Sequence, residues 1–305
     1  MIDDHMTTWF GLPVEDYQPG AGYGTTIQRF GFSYDNEDDF DPAALEAYLA
    51  DPRAATIKAL VFGMPGEAGE DFDDIIRVLV EHAPKLTSLR GIFLGDILQE
   101  ENEMSWIEQG DIGLILAAFP QLEELRVRGG ASLELTPCGN PGLRRLVIET
   151  GGLPTPVLHN LARCTFPNLE HLELWLGDDD YGWDGGVEDV LPVIEPGLFP
   201  KLRSLGLRNS MIANELAAAV AVAPVLGQLE ALDFSGGTMT DEGAEALFLA
   251  SPGIRGLKSL NLYRNYLSDD IIPRLQGLGP QVNTADQEEP DDWDGEPHYS
   301  VAVGE

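Results

Sequence analysis

A repeated phrase constrains the fold of this chain more than any other feature of its sequence. Residues 166–176 read Phe-Pro-Asn-Leu-Glu-His-Leu-Glu-Leu-Trp-Leu, so a Phe-Pro pair introduces the spacing Leu-x-x-Leu-x-Leu. The same phrase recurs at residues 119–127 and at residues 199–207. Copies of an uncommon phrase at wide and similar intervals indicate an internal repeat, which is typical of a chain built from stacked units.

The spacing continues through most of the chain in a single frame. The first apolar residue of each copy stands at positions 57, 89, 122, 143, 169, 202, 229 and 257, at intervals of about 29 residues. An interval of that length accommodates a strand, a loop, a helix of about two to three turns and a return loop. We therefore predict about eight repeats over residues 56–285, with Val282 and Thr284 in a truncated ninth strand.

Helical segments fill most of the intervals between the predicted strands. We predict helices at residues 71–82, 112–118, 156–162, 187–194, 214–223, 241–250 and 269–275. Thr240 and Ser268 are each followed by two acidic residues, which favours helix starts at both positions. The interval from 122 to 143 is too short for a helix, so residues 131–135 are predicted to cross in an extended conformation.

The two ends of the chain lie outside the repeat. Residues 1–55 are predicted to form a loop-like leader and a cap, with a strand at 26–33 and a helix at 42–49. Residues 286–305 form an acidic tail in which residues 298–303 alternate as a small closing strand would. Glycines 20, 22 and 24 precede a predicted strand, whereas a dinucleotide-binding loop follows one, so nucleotide binding is not predicted.

The leucine spacing determines which side of each strand is buried. The last two leucines of the phrase are two residues apart, so they point to the same side of a strand. One repeat cannot bury its leucines alone, whereas stacked repeats bury them together beneath their helices. Strand-helix-strand units favour parallel pairing with a right-handed crossover. The predicted fold is an α/β solenoid, a right-handed horseshoe with a parallel sheet on the concave side and helices on the convex side.

These motifs resemble the repeats of leucine-rich-repeat proteins of the ribonuclease-inhibitor-like class, whose long repeats contain a helix. The resemblance covers about residues 55–285, and the acidic leader and tail are similar to those of stand-alone bacterial proteins of this type. It implies a horseshoe with a binding role, and it implies no catalytic site. The irregular intervals and the missing helix after position 122 depart from a regular array.

The charge of the chain limits its partners. The sequence has 52 acidic and 18 basic residues, a net charge of −34. Such a charge repels nucleic acids and anionic membranes, and it favours a protein or peptide partner with a basic or mixed-charge surface. The first residues lack the apolar run of a signal peptide, and no apolar stretch is long enough to span a membrane, so a cytoplasmic location is predicted.

The residues between the repeated leucines define a candidate binding face on the concave sheet. This set is Glu124, Arg126, Arg128, Arg145, Glu149, His171, Glu173, Trp175, Arg208, Asp233, Asn261 and Tyr263. Arginine and aromatic side chains supply much of the binding energy at protein interfaces. We therefore predict a non-catalytic protein-protein interaction module, centred on solvent-facing groups such as Arg128 and Trp175. Alternatively, arginine and glutamate simply pair across neighbouring strands, or the chain is a regulatory subunit of a neighbouring enzyme.

Three smaller features have competing interpretations. Cys138 and Cys164 each stand five residues before a leading leucine, so they are predicted to be stacked neighbours, for packing rather than as a redox pair. The acidic loop 178–188 is interpreted as solvated rather than as a calcium site, with Trp183 projecting from the rim. His171 beside Glu173 leaves a weak hydrolase alternative, but no nucleophile accompanies the pair, so neither enzyme activity nor a cofactor or metal is predicted.

Overall fold

The computed structural model describes residues 4–32, 42–66 and 69–304, and these residues form an α/β fold. Its strands follow one another in chain order and are mostly parallel. The strands are β1 (Thr8–Trp9), β2 (Leu12–Asp16), β3 (Ile27–Phe30), β4 (Ala59–Phe62), β5 (Gly91–Leu94), β6 (Glu124–Arg128), β7 (Arg145–Glu149), β8 (His171–Gly177), β9 (Ser204–Ser210), β10 (Ala231–Asp233), β11 (Ser259–Asn261), β12 (Gln281–Asn283), β13 (Asp291–Trp293) and β14 (Glu296–His298).

Helices alternate with these strands along the chain. The α-helices are α1 (Pro42–Ala50), α2 (Asp73–His82), α3 (Ile112–Ala118), α4 (Thr155–Leu161), α5 (Val187–Val190), α6 (Ala213–Val222), α7 (Asp241–Leu249), α8 (Ser251–Ile254) and α9 (Ile272–Gln276). A short 3₁₀ helix, Leu191–Ile194, continues α5. Within the part of the chain that the structure describes, no helix is long and apolar enough to cross a lipid bilayer.

The chain divides into two compact units. The first unit contains Met1–Ile148 together with Arg163–Phe166, and the second contains Glu149–Ala162 together with Pro167–Gly304. The first unit therefore holds β1 to β6 and most of β7, and the second holds β8 to β14.

The predicted repeat strands are all present, and their bounds follow one rule. From β4 to β11, each strand begins two residues after the leading apolar position, so the second leucine of the phrase is its second residue. β12 contains Val282 and confirms the predicted ninth strand. The agreement arises because the two leucines that point inward from each strand must share its buried side.

In the first unit, the repeated apolar residues form buried rows across neighbouring strands. Leu60 pairs with Ile92, and Ile92 pairs with Leu125, and all three side chains are fully buried. The apolar face of α2 contributes Ile75, Ile76, Val78 and Leu79 to the buried core. The leucine phrase is therefore the core of this unit, as the periodicity predicts.

The N-terminal segment of the first unit is more ordered than a loop-like leader. β1 and β2 form an antiparallel hairpin, and β2 pairs in parallel with β3. The cap strand and helix are β3 and α1, and the predicted ends of these elements at Ser33 and Asp41 lie outside the described residues. The hairpin carries apolar side chains onto the strands that follow it.

The short interval in the first unit is extended, as predicted. Ala131 forms a parallel bridge with Glu108, and Glu134 forms one with Asp111. The Asp111 side chain accepts hydrogen bonds from the backbone N–H groups of Gly113, at 2.9 Å, and of Thr136, at 2.8 Å. This carboxylate caps α3 and holds the extended segment beside it.

In the second unit, one apolar row crosses five strands. Leu172, Leu205, Leu232, Leu260 and Val282 are register neighbours on β8 to β12. The four leucines are at most 1% exposed. Successive repeats of this unit are therefore stacked in one register.

The two predicted helix starts of the second unit behave differently. The Thr240 side chain accepts a hydrogen bond from the backbone N–H of Glu242 and caps α7, as predicted. The prediction for Ser268 is wrong, because α9 begins later, at Ile272. The Ser268 hydroxyl instead donates to the Asp241 carboxylate at 2.6 Å, so the residue joins two repeats rather than capping its own helix.

The prediction of a closing strand at residues 298–303 is also wrong. β13 and β14 form a separate antiparallel hairpin, and residues 299–303 are not in a strand. The backbone N–H of Ala302 donates to the carbonyl of Gly236 at 2.8 Å, and that of Val303 donates to the Asn209 side chain at 2.9 Å. The tail therefore binds to the ends of β9 and β10 instead of adding an edge strand.

Candidate functional site

A polar row crosses the second unit on the side of its strands opposite the buried leucines. Its members alternate with the leucines along each strand, because successive side chains of a strand point to opposite sides. The row consists of the register neighbours Glu173, Gly206, Asp233, Asn261 and Asn283 on β8 to β12. We call this set the polar row.

One half of the polar row is a ladder of side-chain hydrogen bonds. Asn283 donates to the Asn261 side chain at 2.9 Å, and Asn261 donates to the Asp233 carboxylate at 2.9 Å. The same acceptors bind backbone N–H groups two residues ahead, at 2.8 Å from Ser235 to Asp233 and at 3.2 Å from Tyr263 to Asn261. These side chains are therefore held in place by hydrogen bonds within the protein.

At the other end of the polar row, the Glu173 carboxylate contacts three side chains. It accepts hydrogen bonds from Arg208 Nη1 at 2.7 Å and from Trp175 Nε1 at 2.9 Å, and His171 Nε2 lies 3.2 Å from it. The Arg208 guanidinium lies 4.5 Å from the centre of the Trp175 ring and donates to the Ser235 hydroxyl at 2.8 Å. These four residues, His171, Glu173, Trp175 and Arg208, are the Glu173 cluster.

The Glu173 carboxylate is held in its charged form. Burial alone would raise its pKa, but the hydrogen bonds from His171, Trp175 and Arg208 and the charge of Arg208 outweigh burial and hold the pKa far below its usual value. Glu173 is therefore an anion at neutral pH. His171 and Glu173 are in contact, and the same carboxylate also holds the indole and the guanidinium in place.

The sequence places Trp175 on the solvent-facing strip, and this expectation is wrong. The Trp175 side chain is only 9% exposed, because its N–H is bonded to Glu173 and the Arg208 guanidinium covers the ring. More open positions lie further along the sheet, at Asp233, Asn261 and Tyr263, of which Tyr263 is 37% exposed.

Gly206 separates Glu173 from Asp233 in the polar row. A Cβ atom added at Gly206 would lie 3.1 Å from Cγ of Glu173, so the Glu173 side chain lies over this glycine, which is buried. Arg208 bonds to the Glu173 carboxylate through Nη1 at 2.7 Å, and its Nε lies 3.8 Å from the Asp233 carboxylate. The guanidinium therefore contacts Glu173 and lies close to Asp233, and Asp233 is the more exposed of the two acidic side chains, at 29% against 12%.

The first unit brings together a smaller charged group on β6 and β7. The Glu124 carboxylate accepts a hydrogen bond from Arg126 Nε at 2.6 Å, and Arg145 Nε lies 3.4 Å from it. The side chains of Arg126 and Arg145 are 26% and 34% exposed. This arrangement matches the predicted pairing of arginine and glutamate across neighbouring strands.

The expectation that Arg128 faces solvent is wrong. Arg128 is 7% exposed, donates to the Ile97 carbonyl at 2.7 Å and lies over the ring of Phe93. Glu149, in the second unit, is also buried, at 8% exposure. Arg128 therefore belongs to the buried part of the first unit rather than to its surface.

The N-terminal hairpin explains why part of the first unit's open side is closed. Trp9 packs with Ala59, Val61 and Phe93, and its indole N–H donates to Glu124 at 3.2 Å. Phe93, on the same side of β5, is 2% exposed as a result. The sequence signal was the run of small and apolar residues at the inner positions of β4 and β5, which differs from the charged residues of later repeats.

The acidic loop of the second unit is organised by its own turns. The carboxylates of Asp178, Asp179 and Asp180 lie within 4.8 Å of one another, while Asp178 accepts from the backbone N–H of Asp180 at 2.9 Å. Asp184 accepts from the backbone N–H of Thr155 at 3.1 Å. Trp183, predicted to project from the rim, is 2% exposed, so that prediction is wrong.

Comparison with solved structures identifies a protein to which this chain is similar. It is similar to a protein of Bacteroides fragilis whose crystal structure was determined as a structural genomics target, with 33% sequence identity and a TM-score of 0.79. The match covers 90% of this chain and 76% of that chain. The chain belongs to the family of this Bacteroides fragilis protein. The two proteins therefore share a fold over nearly the whole of this chain.

Other comparisons add less. A leucine-rich-repeat protein of Leptospira interrogans is 13% identical over 84% of this chain and 89% of that chain, with a TM-score of 0.24, which is too low to argue from. No protein-family model matches the chain. A search of curated proteins also finds no match.

Proposed function

We propose that this protein is a non-catalytic interaction module that binds a protein or peptide partner on the open side of its strands. The observation that carries the proposal is the polar row of the second unit, whose side chains are fixed by hydrogen bonds to one another. A preformed surface loses little side-chain freedom on binding, which favours affinity. Little change of shape is expected in the partner-bound form.

The repeat itself, in this proposal, is the leucine-rich repeat of the ribonuclease-inhibitor-like class. The register of Leu172, Leu205, Leu232 and Leu260 supports this assignment, as does the alternation of strands with helices. Such repeats imply a right-handed horseshoe in which the strands line the concave side and the helices the convex side. The polar row would then lie on the concave side.

The charged groups of the polar row indicate the kind of partner. The Asp233 side chain is partly exposed, so a lysine or arginine side chain of the partner can pair with its carboxylate. The net charge of −34 attracts such a basic surface over a longer range, and salt weakens that attraction. The Arg208 side chain is also partly exposed and offers a contact to an acidic group of the partner, which fits a mixed-charge surface.

Affinity capture with matched variants tests this proposal. The tagged protein would be incubated with an extract of the cells that produce it, and retained proteins would be quantified by mass spectrometry. Gly206→Ala places a methyl group against the Glu173 side chain without changing any charge, and Tyr263→Ala removes an exposed ring from the same side. Leu249→Ala is the control, because Leu249 is 89% exposed on α7.

The proposal expects a basic or mixed-charge protein that the wild type and Leu249→Ala retain and that Gly206→Ala and Tyr263→Ala lose. Melting temperatures of all four proteins would establish that the fold is intact. Retention of the same protein by every variant would contradict binding at the polar row. Loss with Leu249→Ala alone would assign the partner to the helices instead.

A further inference from the structure

Cys138 and Cys164 lie on adjacent extended segments of the first unit. Gly139 and Thr165 form a parallel bridge, in which the Thr165 N–H donates to the carbonyl of Cys138 at 2.9 Å and the Asn140 N–H donates to the carbonyl of Thr165 at 3.1 Å. Each cysteine directly precedes one member of this bridge. The two cysteines are therefore opposite one another in register, which confirms that they are stacked neighbours.

This geometry matches what a disulfide requires. Neighbouring strands lie about 4.8 Å apart, and a disulfide joins residues whose Cα atoms are about 4.4–6.8 Å apart. Opposite residues of parallel segments also point to the same side. The thiol of Cys164 already lies 3.4 Å from the backbone nitrogen of Cys138. The bond can therefore form without a large movement of the backbone.

We propose that Cys138 and Cys164 form a peroxide-reactive thiol pair that closes to a disulfide, a modification site that is independent of partner binding. Cys164 is the attacking residue, because its sulfur accepts the Cys138 N–H and so is the better placed to carry negative charge. Cys164 is 3% exposed, whereas Cys138 is half-buried. Because Cys164 is so little exposed, the proposed oxidant is the smallest peroxide, hydrogen peroxide.

The electrostatics of the pair support these roles. The hydrogen bond from the Cys138 thiol lowers the pKa of the Cys164 thiol despite the opposing effect of burial. The same hydrogen bond, together with burial, raises the pKa of the Cys138 thiol. One sulfur is thus favoured as the thiolate while the other keeps its proton.

The reaction balances without a further reagent. The Cys164 thiolate attacks one peroxide oxygen, the O–O bond breaks, and the released hydroxide takes a proton from solvent to give water and a sulfenic acid. The Cys138 sulfur then attacks the sulfenic sulfur, the S–O bond breaks, and the Cys138 proton leaves with the hydroxide as a second water. Together the two sulfurs lose two electrons, and the peroxide gains them.

The disulfide would fasten a segment that is remote in sequence from the rest of its unit. Arg163–Phe166 belongs to the first unit, whereas the residues on either side of it belong to the second. A covalent link from Cys164 to Cys138 prevents this segment from separating from the first unit. Because a disulfide restricts the unfolded chain, the oxidised protein should melt at a higher temperature than the reduced protein.

Peroxide titration of the native, reduced wild-type protein tests the proposal. Both thiols should disappear together, the intact mass should fall by two hydrogens, and peptide mapping should identify a Cys138–Cys164 link that dithiothreitol reverses. Retention of both thiols would overturn the proposal. So would conversion of either sulfur to a sulfinic or sulfonic acid without the link.

Two variants then separate the roles of the sulfurs. Cys138→Ser should accumulate a sulfenic acid at Cys164 that a cyclic diketone reagent labels, whereas Cys164→Ser should remain unlabelled. Labelling of Cys164→Ser alone would overturn the assignment of the attacking residue. Because these measurements involve no partner, they succeed or fail separately from the capture experiment.

Discussion

The buried side chain of Leu205 provides a quantitative test of the register in the second unit. Leu205 is fully buried and pairs with Leu172 on β8 and with Leu232 on β10. The change Leu205→Ala removes three carbon atoms from the centre of the apolar row. Hydrogen-bonded strands on both sides hold the neighbouring leucines in place, so the space cannot close by a small shift.

The expected cost has two parts. Transfer of the lost carbons accounts for about 2.4 kcal/mol, at about 0.8 kcal/mol for each carbon group. The remaining cavity adds about 1–2 kcal/mol, because the surrounding residues relax only in part. The free energy of unfolding of the second unit should therefore fall by about 3.5–4.5 kcal/mol.

Urea unfolding followed by far-ultraviolet circular dichroism measures this difference at neutral pH. Ser204→Ala is the matched control, because Ser204 is the preceding residue, points to the opposite side of β9 and is only half-buried. It should change the free energy of unfolding by less than about 0.5 kcal/mol. A cost below about 1 kcal/mol for Leu205→Ala would refute the register, as would equal costs for the two variants.

Three further perturbations test the charged and covered regions. Glu173→Gln should destabilise the second unit at pH 7, because it removes the anion that holds Arg208. Since the pKa of Glu173 is lowered in the folded protein, the difference in melting temperature between the variant and the wild type should shrink as the pH falls below the usual carboxyl range. The carboxylates of Asp96 and Glu101, 3.6 and 3.3 Å from the His5 ring nitrogens, raise the pKa of His5 to about 9. His5→Gln should therefore lower the melting temperature at pH 6, and the difference should vanish as the pH rises through 9. Trp9→Ala should lower the free energy of unfolding of the first unit by about 3–5 kcal/mol in urea titrations and increase the binding of an apolar dye; an unchanged dye signal would contradict the covering role of the hairpin.

The repeat strands were predictable because their information is local. The apolar spacing at positions such as 202, 205 and 207 lies within a single repeat, and it is enough to predict that similar repeats stack on one another. The leader was not predictable in the same way. Trp9 and Phe10 stand in a short segment next to a glycine, and nothing in that segment indicates that its partners are the small and apolar inner residues of later strands.

The candidate site was predicted by position but not by exposure. Register alone assigns Glu173, Asp233 and Asn261 to one side of the sheet, and they lie there in one row. Whether an arginine or a tryptophan on that side is exposed depends on side-chain contacts between strands. Arg128 is buried because its guanidinium donates to the Ile97 carbonyl and lies over the Phe93 ring. Trp175 is buried because the Arg208 guanidinium lies over its ring.

The hairpin at the beginning of the chain also sets the order in which the first unit can fold. Trp9 and its acceptor Glu124 are 115 positions apart, so the indole has no acceptor until β6 has been synthesised and paired. Contacts over such a distance are slow to form because a long loop must close first. The hairpin can therefore dock fully only after β6 is in place, and until then the ring of Phe93 lacks its complete cover.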